Sequence, residues 1–193
     1  MDAISVASTE TPQYIYSILK DILPSICTII VAIISSRMVI TSANKTIKKE
    51  NADKLQRDLE SFYYPFLLLS KKTTQLYGAF SQVSSEDCDS CLLFLLSGNR
   101  FEGNALIIFK EIMINNEKLN NLIIRFSSTV SNMLLRNDLS KLSTHYTLLE
   151  LAYKNQILGN EDVFINYKFS SKVIENMEIE INKIQEQIKL LNK

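Results

Sequence analysis

From Ile22 to Ser36 the chain runs fifteen residues without a charge, and the surroundings of that run decide what the rest can be. A helix so apolar belongs either in a bilayer or in a protein core. Crossing a bilayer takes roughly 17–25 mostly apolar residues at about 1.5 Å each, so the run alone is short. Arg37 extends it. Its guanidinium can reach the headgroups while its stem stays in apolar surroundings, which adds Met38, Val39 and Ile40. Lys20 and Asp21 mark the other interface, with Tyr14 and Tyr16 where amphipathic rings prefer to sit. Pro24 falls near the start, where a missing amide costs least. A cleaved signal, with Thr41-Ser42-Ala43 as its cleavage site, wants a cationic start, yet only Asp2 and Glu10 are charged before Lys20. A soluble core helix should show a polar face, and Ser25, Thr28, Ser35 and Ser36 are the only polar breaks. The reading is therefore a transmembrane helix over residues 13–42.

Arg37, Lys45, Lys48, Lys49, Lys54 and Arg57 follow the run, and only Lys20 precedes it. The positive-inside rule then predicts a single-pass protein with its N-terminus outside and its C-terminal domain in the cytoplasm. The same cations could touch anionic headgroups or form a solvated helix face. Beyond the span, 21 acidic and 21 basic residues balance over the whole chain, which gives no reason to expect nucleic acid as a partner. Only four Gly and three Pro occur, and long Leu/Ile/Lys/Glu/Asn segments run between them. The fold class expected is all-α: one N-terminal transmembrane helix followed by an antiparallel bundle of about four helices.

Residues 1–12 read as a disordered polar tail and residues 43–61 as a helical stalk continuous with the span. Residues 62–193 read as the bundle. Pro65 lacks the amide an incoming helix needs and disfavours helical geometry at Tyr64, so a kink or restart is predicted there. The new helix would reach about Ser84 and bury Phe66, Leu69, Thr73, Leu76, Tyr77 and Phe80. A further helix is expected from Asn104 to Leu135, interrupted at Asn115-Asn116-Glu117, with Ile108, Ile112, Leu119, Ile123 and Phe126 among its three-and-four spacing. The next would be capped by Asn137 or Asp138, bury Leu139, Leu142, Tyr146, Leu149 and Tyr153, and stop at Gly159-Asn160. From about Tyr167 to Leu191, Ile174, Met177, Ile181, Ile184 and Ile188 make a heptad seam. It would pack within the chain by default, or make a dimer.

Cys88 and Cys91 form the one Cys-x-x-Cys pair. Zinc wants four ligands, and the only histidine, His145, is far away in sequence. A redox motif of this kind belongs in a βαβ setting, so two loop thiols are the plainer reading. A zinc bridge between two copies is the outside one. His145 borders the buried stripe of its helix. A catalytic base there would need a partner such as Glu150, whereas a hydrogen-bonded packing histidine needs none. No cofactor, metal or reaction is expected.

Tyr63-Tyr64-Pro65-Phe66-Leu67, then Asn116-Glu117 with Leu119, Leu122 and Ile123, then His145, then a C-terminal helix with Gln185, Gln187 and a double leucine come in a particular order. The same order is found in a widespread group of uncharacterised bacterial proteins, which the chain resembles over about Leu55 to Leu191. Those proteins are helical domains, membrane-anchored or soluble, whose opening motif reads roughly Phe-Tyr-Gly-Pro-Leu. The resemblance implies a helical fold and a bacterial origin, so that the span predicted above would lie in the bacterial inner membrane, and it points at Tyr63, Tyr64, Pro65, Asn116, Glu117 and His145 as hinge or interaction residues. It supplies no mechanism. Tyr64 stands where the group has glycine, which counts against a close backbone approach there.

Together these features predict a membrane-anchored, non-catalytic interaction or sensing module that recruits a protein partner or a second copy of itself. The alternative is a membrane-perturbing defence or toxin component whose spans associate through the Ser25/Thr28/Ser35 stripe. A metal or redox enzyme using Cys88, Cys91 and His145 is the third.

Overall fold

The computed structural model describes residues 10–84, 90–159 and 172–192, with side chains described in the first helix at Lys20 and from Ile22 onward. Among them every regular element is helical. The chain divides into two compact units, Met1–Asn51 and Ala52–Lys193.

The first unit holds most of α1, a 49-residue helix over Glu10–Asp58. It begins inside the stretch expected to be a tail, of which residues 1–9 lie outside the described residues, as do the side chains of Tyr14, Tyr16 and Asp21. Pro24 sits within α1, and the Thr28 hydroxyl donates to the Pro24 carbonyl at 2.8 Å. Every side chain from Ile22 to Glu50 is exposed. The helix is long and apolar enough to cross a membrane, and none of its apolar window is buried.

The second unit starts with the end of α1, where Ala52 is buried. Leu59–Tyr63 then forms a π turn and α2 follows over Tyr64–Val83. The restart expected at Pro65 takes the form of this π turn, with Pro65 in the first turn of α2, but without the non-helical geometry expected at Tyr64: Tyr63 and Tyr64 both keep right-handed helical dihedrals. In the π turn the Tyr64 amide donates to Leu59, five residues back. This widened turn lies beside the point where the proline ring would strike the carbonyl four residues earlier. The clash is absorbed locally and the helix continues.

A short α3 covers Cys91–Leu96, followed by α4 over Gly103–Phe126 and α5 over Met133–Tyr153. The single helix expected from Asn104 to Leu135 is in fact broken by a 3₁₀ turn at Ser127–Thr129. Asn132, rather than Asn137 or Asp138, caps α5, its Oδ1 accepting from the amides of Leu134 at 3.1 Å and Leu135 at 3.3 Å. Ser127, Ser128 and Thr129 bond more readily to nearby backbone than they extend a helix, and Asn132 supplies the new start. Asn115-Asn116-Glu117 does not interrupt α4. Nor does α5 last to Gly159. Asn155 adopts a left-handed φ of 59°, the Gln156 amide reaches the Leu151 carbonyl at 2.9 Å and the Asn155 amide that of Ala152 at 3.1 Å. These bonds make a Schellman stop. The last helix, α6, covers Lys172–Leu191; residues 160–171, with the expected start near Tyr167, lie outside the described residues.

The helices alternate in direction. Phe80 meets Phe109 at 5.8 Å between ring centres while Phe62 meets Phe126 at 6.3 Å, so α4 runs back along α2. Likewise Lys71 pairs with Glu178 at 2.7 Å and Tyr64 with Gln185 at 2.9 Å, so α6 runs antiparallel to α2. The α6 seam packs inside the chain: Met177, Ile181 and Ile184 are buried and Ile174 and Ile188 half-buried, and at the start of the helix Val173 rather than Ile174 takes the fully buried position.

Two apolar clusters share this bundle. One gathers Leu59, Phe62, Tyr63 and Phe66 with Leu119, Ile123, Leu135, Leu139 and the α6 seam. The other gathers Phe80, α3, Phe101, Phe109 and Ile112 with Leu149 and Ala152.

Candidate functional site

A polar layer separates the two clusters. On α2, Ser70 and Thr73 are buried between Phe66 and Phe80; on α4, Asn115 and Asn116 lie between Ile112 and Leu119; on α5, His145 lies between Leu142 and Leu149. Each follows the helical spacing of its own apolar stripe, so the same periodicity that fills the two clusters carries these polar groups into the core.

Asn115 and Asn116 are each 1% exposed. Both amide atoms of each, and the Thr73 hydroxyl, have no hydrogen-bond partner among the described residues. An unpaired buried polar group costs about 1–3 kcal/mol, against a total stability of about 5–15 kcal/mol for an ordinary domain. Groups so placed call for a further partner.

Two spaces adjoin Asn116, and the smaller of them also reaches Thr73. A small cavity of about 20 Å³ is lined by Ser70, Thr73, Tyr77, Asn116, His145 and Tyr146, room for about one water-sized group. A larger cleft of about 480 Å³ opens between α4 and α5, with Asn116 and Tyr146 in its wall. Those two side chains therefore border both spaces. Burial, with the neighbouring Tyr77 adding to it, pushes the Tyr146 phenol well above its ordinary range, so it remains a protonated donor. His145 and Tyr146 have ring centres 6.0 Å apart.

The rim of the cleft carries Lys110, Glu117, Glu150 and Lys154. Lys154 pairs with Glu150. That hydrogen bond, the Glu150 charge and the more distant Glu117 raise the Lys154 ammonium above its usual range. Asn120, also in the cleft wall, accepts at its Oδ1 from the Ser143 hydroxyl at 2.6 Å.

Of the residues singled out in the sequence, Asn116 and His145 meet at the small cavity, and Glu117 stands beside Asn116 on the cleft. Tyr63 and Pro65 belong elsewhere, at the π turn. Tyr63 is 1% exposed, and burial, with Glu180 and Asp58 adding, pushes its phenol up to about 12. Tyr64 accepts from Gln185 Nε2 at 2.9 Å, so this tyrosine ties α2 to α6. Cys91 is the first residue of α3 and packs on the second apolar cluster; Cys88 lies outside the described residues. No three His, Cys, Asp or Glu side chains gather around one point among the described residues. Ser70, Tyr77 and Asn115 were not singled out as site residues, although Asn115 keeps the three-residue step from Ile112 that marks a core position.

Comparison with known proteins finds no match: no family, no curated protein and no solved structure corresponds to this chain.

Proposed function

We propose that this protein is a membrane-tethered, non-catalytic sensing module. In this reading α1 is its single span, with the N-terminus outside and the C-terminal unit in the cytoplasm, and the resemblance to bacterial proteins makes the membrane the bacterial inner membrane. The polar layer receives a small ligand. α2 lines that layer and joins α1 through the π turn, so a shift of α2 against α4 and α5 is the signal passed to a protein partner or a second copy. The observation that carries the reading is the pair of buried asparagines with four unpartnered amide atoms. A core selected only for stability replaces such groups with apolar ones at little cost.

Two measurements test it. Carbonate extraction leaves the chain in the membrane pellet; release into the supernatant sinks the tether. A thermal-shift screen of the detergent-solubilised chain against neutral, acidic and basic metabolites finds at least one compound that raises the melting temperature of the wild type and not of Asn116→Leu. A screen in which no compound does so counts against sensing. The competing reading, in which several spans gather, draws little from Thr28, whose hydroxyl is turned onto its own helix at Pro24.

A further inference from the structure

Between Ile22 and Lys49 the chain carries no acidic residue and four basic ones, Arg37, Lys45, Lys48 and Lys49. At about 100° per residue these four fall within roughly 120° of the α1 circumference, and Glu50, Asp53 and Lys54 fall outside that arc. All four are exposed, and none enters an ion pair among the described residues. Such spacing is unfavourable by itself. Lys48 and Lys49 follow Lys45 at three and four residues, so like charges neighbour one another along the helix and destabilise it. A solvated helix face interleaves acids at these steps, as where Glu150 meets Lys154 and Glu186 meets Lys189. What relieves the repulsion on α1 is an anion from outside the chain.

The neighbouring surface selects the kind of anion. Arg37 and Lys45 line one open groove of about 430 Å³ with Ile34, Met38, Thr41 and Ser42. Toward the span this groove is apolar, and Ile34 and Met38 are exposed there. The Cα–Cβ bonds of a helix tilt toward its N-terminus, so the three lysines start out leaning back toward the apolar run. An acyl chain against Ile34 and Met38 would bring its lipid phosphate among the cations, whereas a soluble anion would leave the apolar end uncovered. From this arrangement we infer that the face of α1 marked by Arg37, Lys45, Lys48 and Lys49 binds an anionic phospholipid at the edge of the span, with the headgroup phosphate between Arg37 and Lys45.

This inference rests on α1 being the span, and two readouts keep the lipid site and the span apart. The full chain in neutral detergent micelles is mixed with equimolar phosphatidylglycerol and phosphatidylcholine, and its lipid adducts are weighed by native mass spectrometry. Flotation with phosphatidylcholine vesicles reports the tether by itself. The phosphatidylglycerol adduct should exceed the phosphatidylcholine adduct by about fivefold or more, roughly the effect of one cation near an anionic headgroup. Arg37→Gln with Lys45→Gln should bring the two adducts close to parity. Ala43→Lys with Lys45→Ala keeps the net charge and moves one cation to the other side of the helix, and it should weaken the preference as much as Lys45→Gln alone. Lys118→Gln, an exposed cation of α4, should leave it unchanged. Equal adducts of the two lipids on the wild type overturn the inference. So does an undiminished preference in either double variant, each checked for helical circular dichroism, or loss of the phosphatidylglycerol adduct to millimolar inorganic phosphate, which would mark a site for soluble anions. A chain that floats with the vesicles and shows no preference keeps the tether and loses the lipid site; a chain that does not float loses both.

Discussion

The apolar part of α1 and the seam of α6 are both isoleucine-rich, yet they meet opposite surroundings. From Ile22 to Ile40 every side chain of α1 is exposed. In α6 Met177, Ile181 and Ile184 are covered by their own chain, and charged residues occupy the other face. The difference lies in the pattern rather than in the amount of apolar surface. A stripe can be satisfied from one side by a bundle, whereas a helix apolar all round needs apolar surroundings on every side. α6 therefore finds its partner in cis, whereas α1 has the length and apolar character to cross a membrane.

Substitutions can break that contrast from either end. The largest effect is expected from Ile29→Arg combined with Ile33→Arg. At about 2.5–3.5 kcal/mol for each charge in mid-span, the chain should shift from the membrane pellet to the soluble or aggregated fraction on flotation, while the melting temperature of the C-terminal unit stays put. Unchanged flotation would mean that α1 is satisfied by something other than lipid. Met177→Ala should do the reverse, lowering bundle stability by about 2–5 kcal/mol in urea titration without changing the membrane fraction. Filling the polar layer with Asn115→Leu and Asn116→Leu should raise ligand-free stability by about 1–3 kcal/mol through removal of unpaired groups; a loss would show that the layer is satisfied within the bundle. Asn132→Ala should cost about 1 kcal/mol as a lost helix cap. It also removes the donor that reaches buried Glu180 Oε2 at 3.2 Å, so melting should respond more to this change than to an exposed Asn137→Ala.

A pH dependence tests the bundle without any substitution. Tyr63 has its phenol pushed up to about 12 by burial, with Glu180 and Asp58 adding, against about 10 in the unfolded chain. Between these values the native state holds a proton that the unfolded state has lost. The stability from this group is thus full below about pH 10 and declines as pH rises toward 12. Melting followed from pH 9 to 12 should show the decline, and Tyr63→Phe should lessen it, the remainder coming from Tyr146, whose phenol burial also pushes up.

Much of this fold is legible in the sequence because spacing is local information. The α6 seam and the buried Phe66, Thr73 and Phe80 of α2 follow from counting threes and fours. Asn115 and Asn116 read as an interruption because polar side chains in a helix usually mark an end or a solvent face. Their register with Ile112 and Leu119 was the opposing signal. The end of α4 was obscured by Val130 and Met133, which continue a plausible stripe past the 3₁₀ turn. The stop at Asn155 depends on a left-handed dihedral that asparagine adopts more readily than most residues but does not announce. The meeting of Asn116 with His145 depends on how α4 and α5 align, and no short-range pattern encodes it.

The π turn at Leu59–Tyr63 has a consequence for phase. Each residue of an α-helix advances the azimuth by roughly 100°. Deleting one residue there would let the stretch wind as ordinary α with the preceding side chains still in phase, whereas winding all of its residues as α would swing every preceding side chain by about that amount. The five residues act as a vernier, and a small change in winding at this one place would re-aim the whole upstream rod while leaving its interior bonds intact.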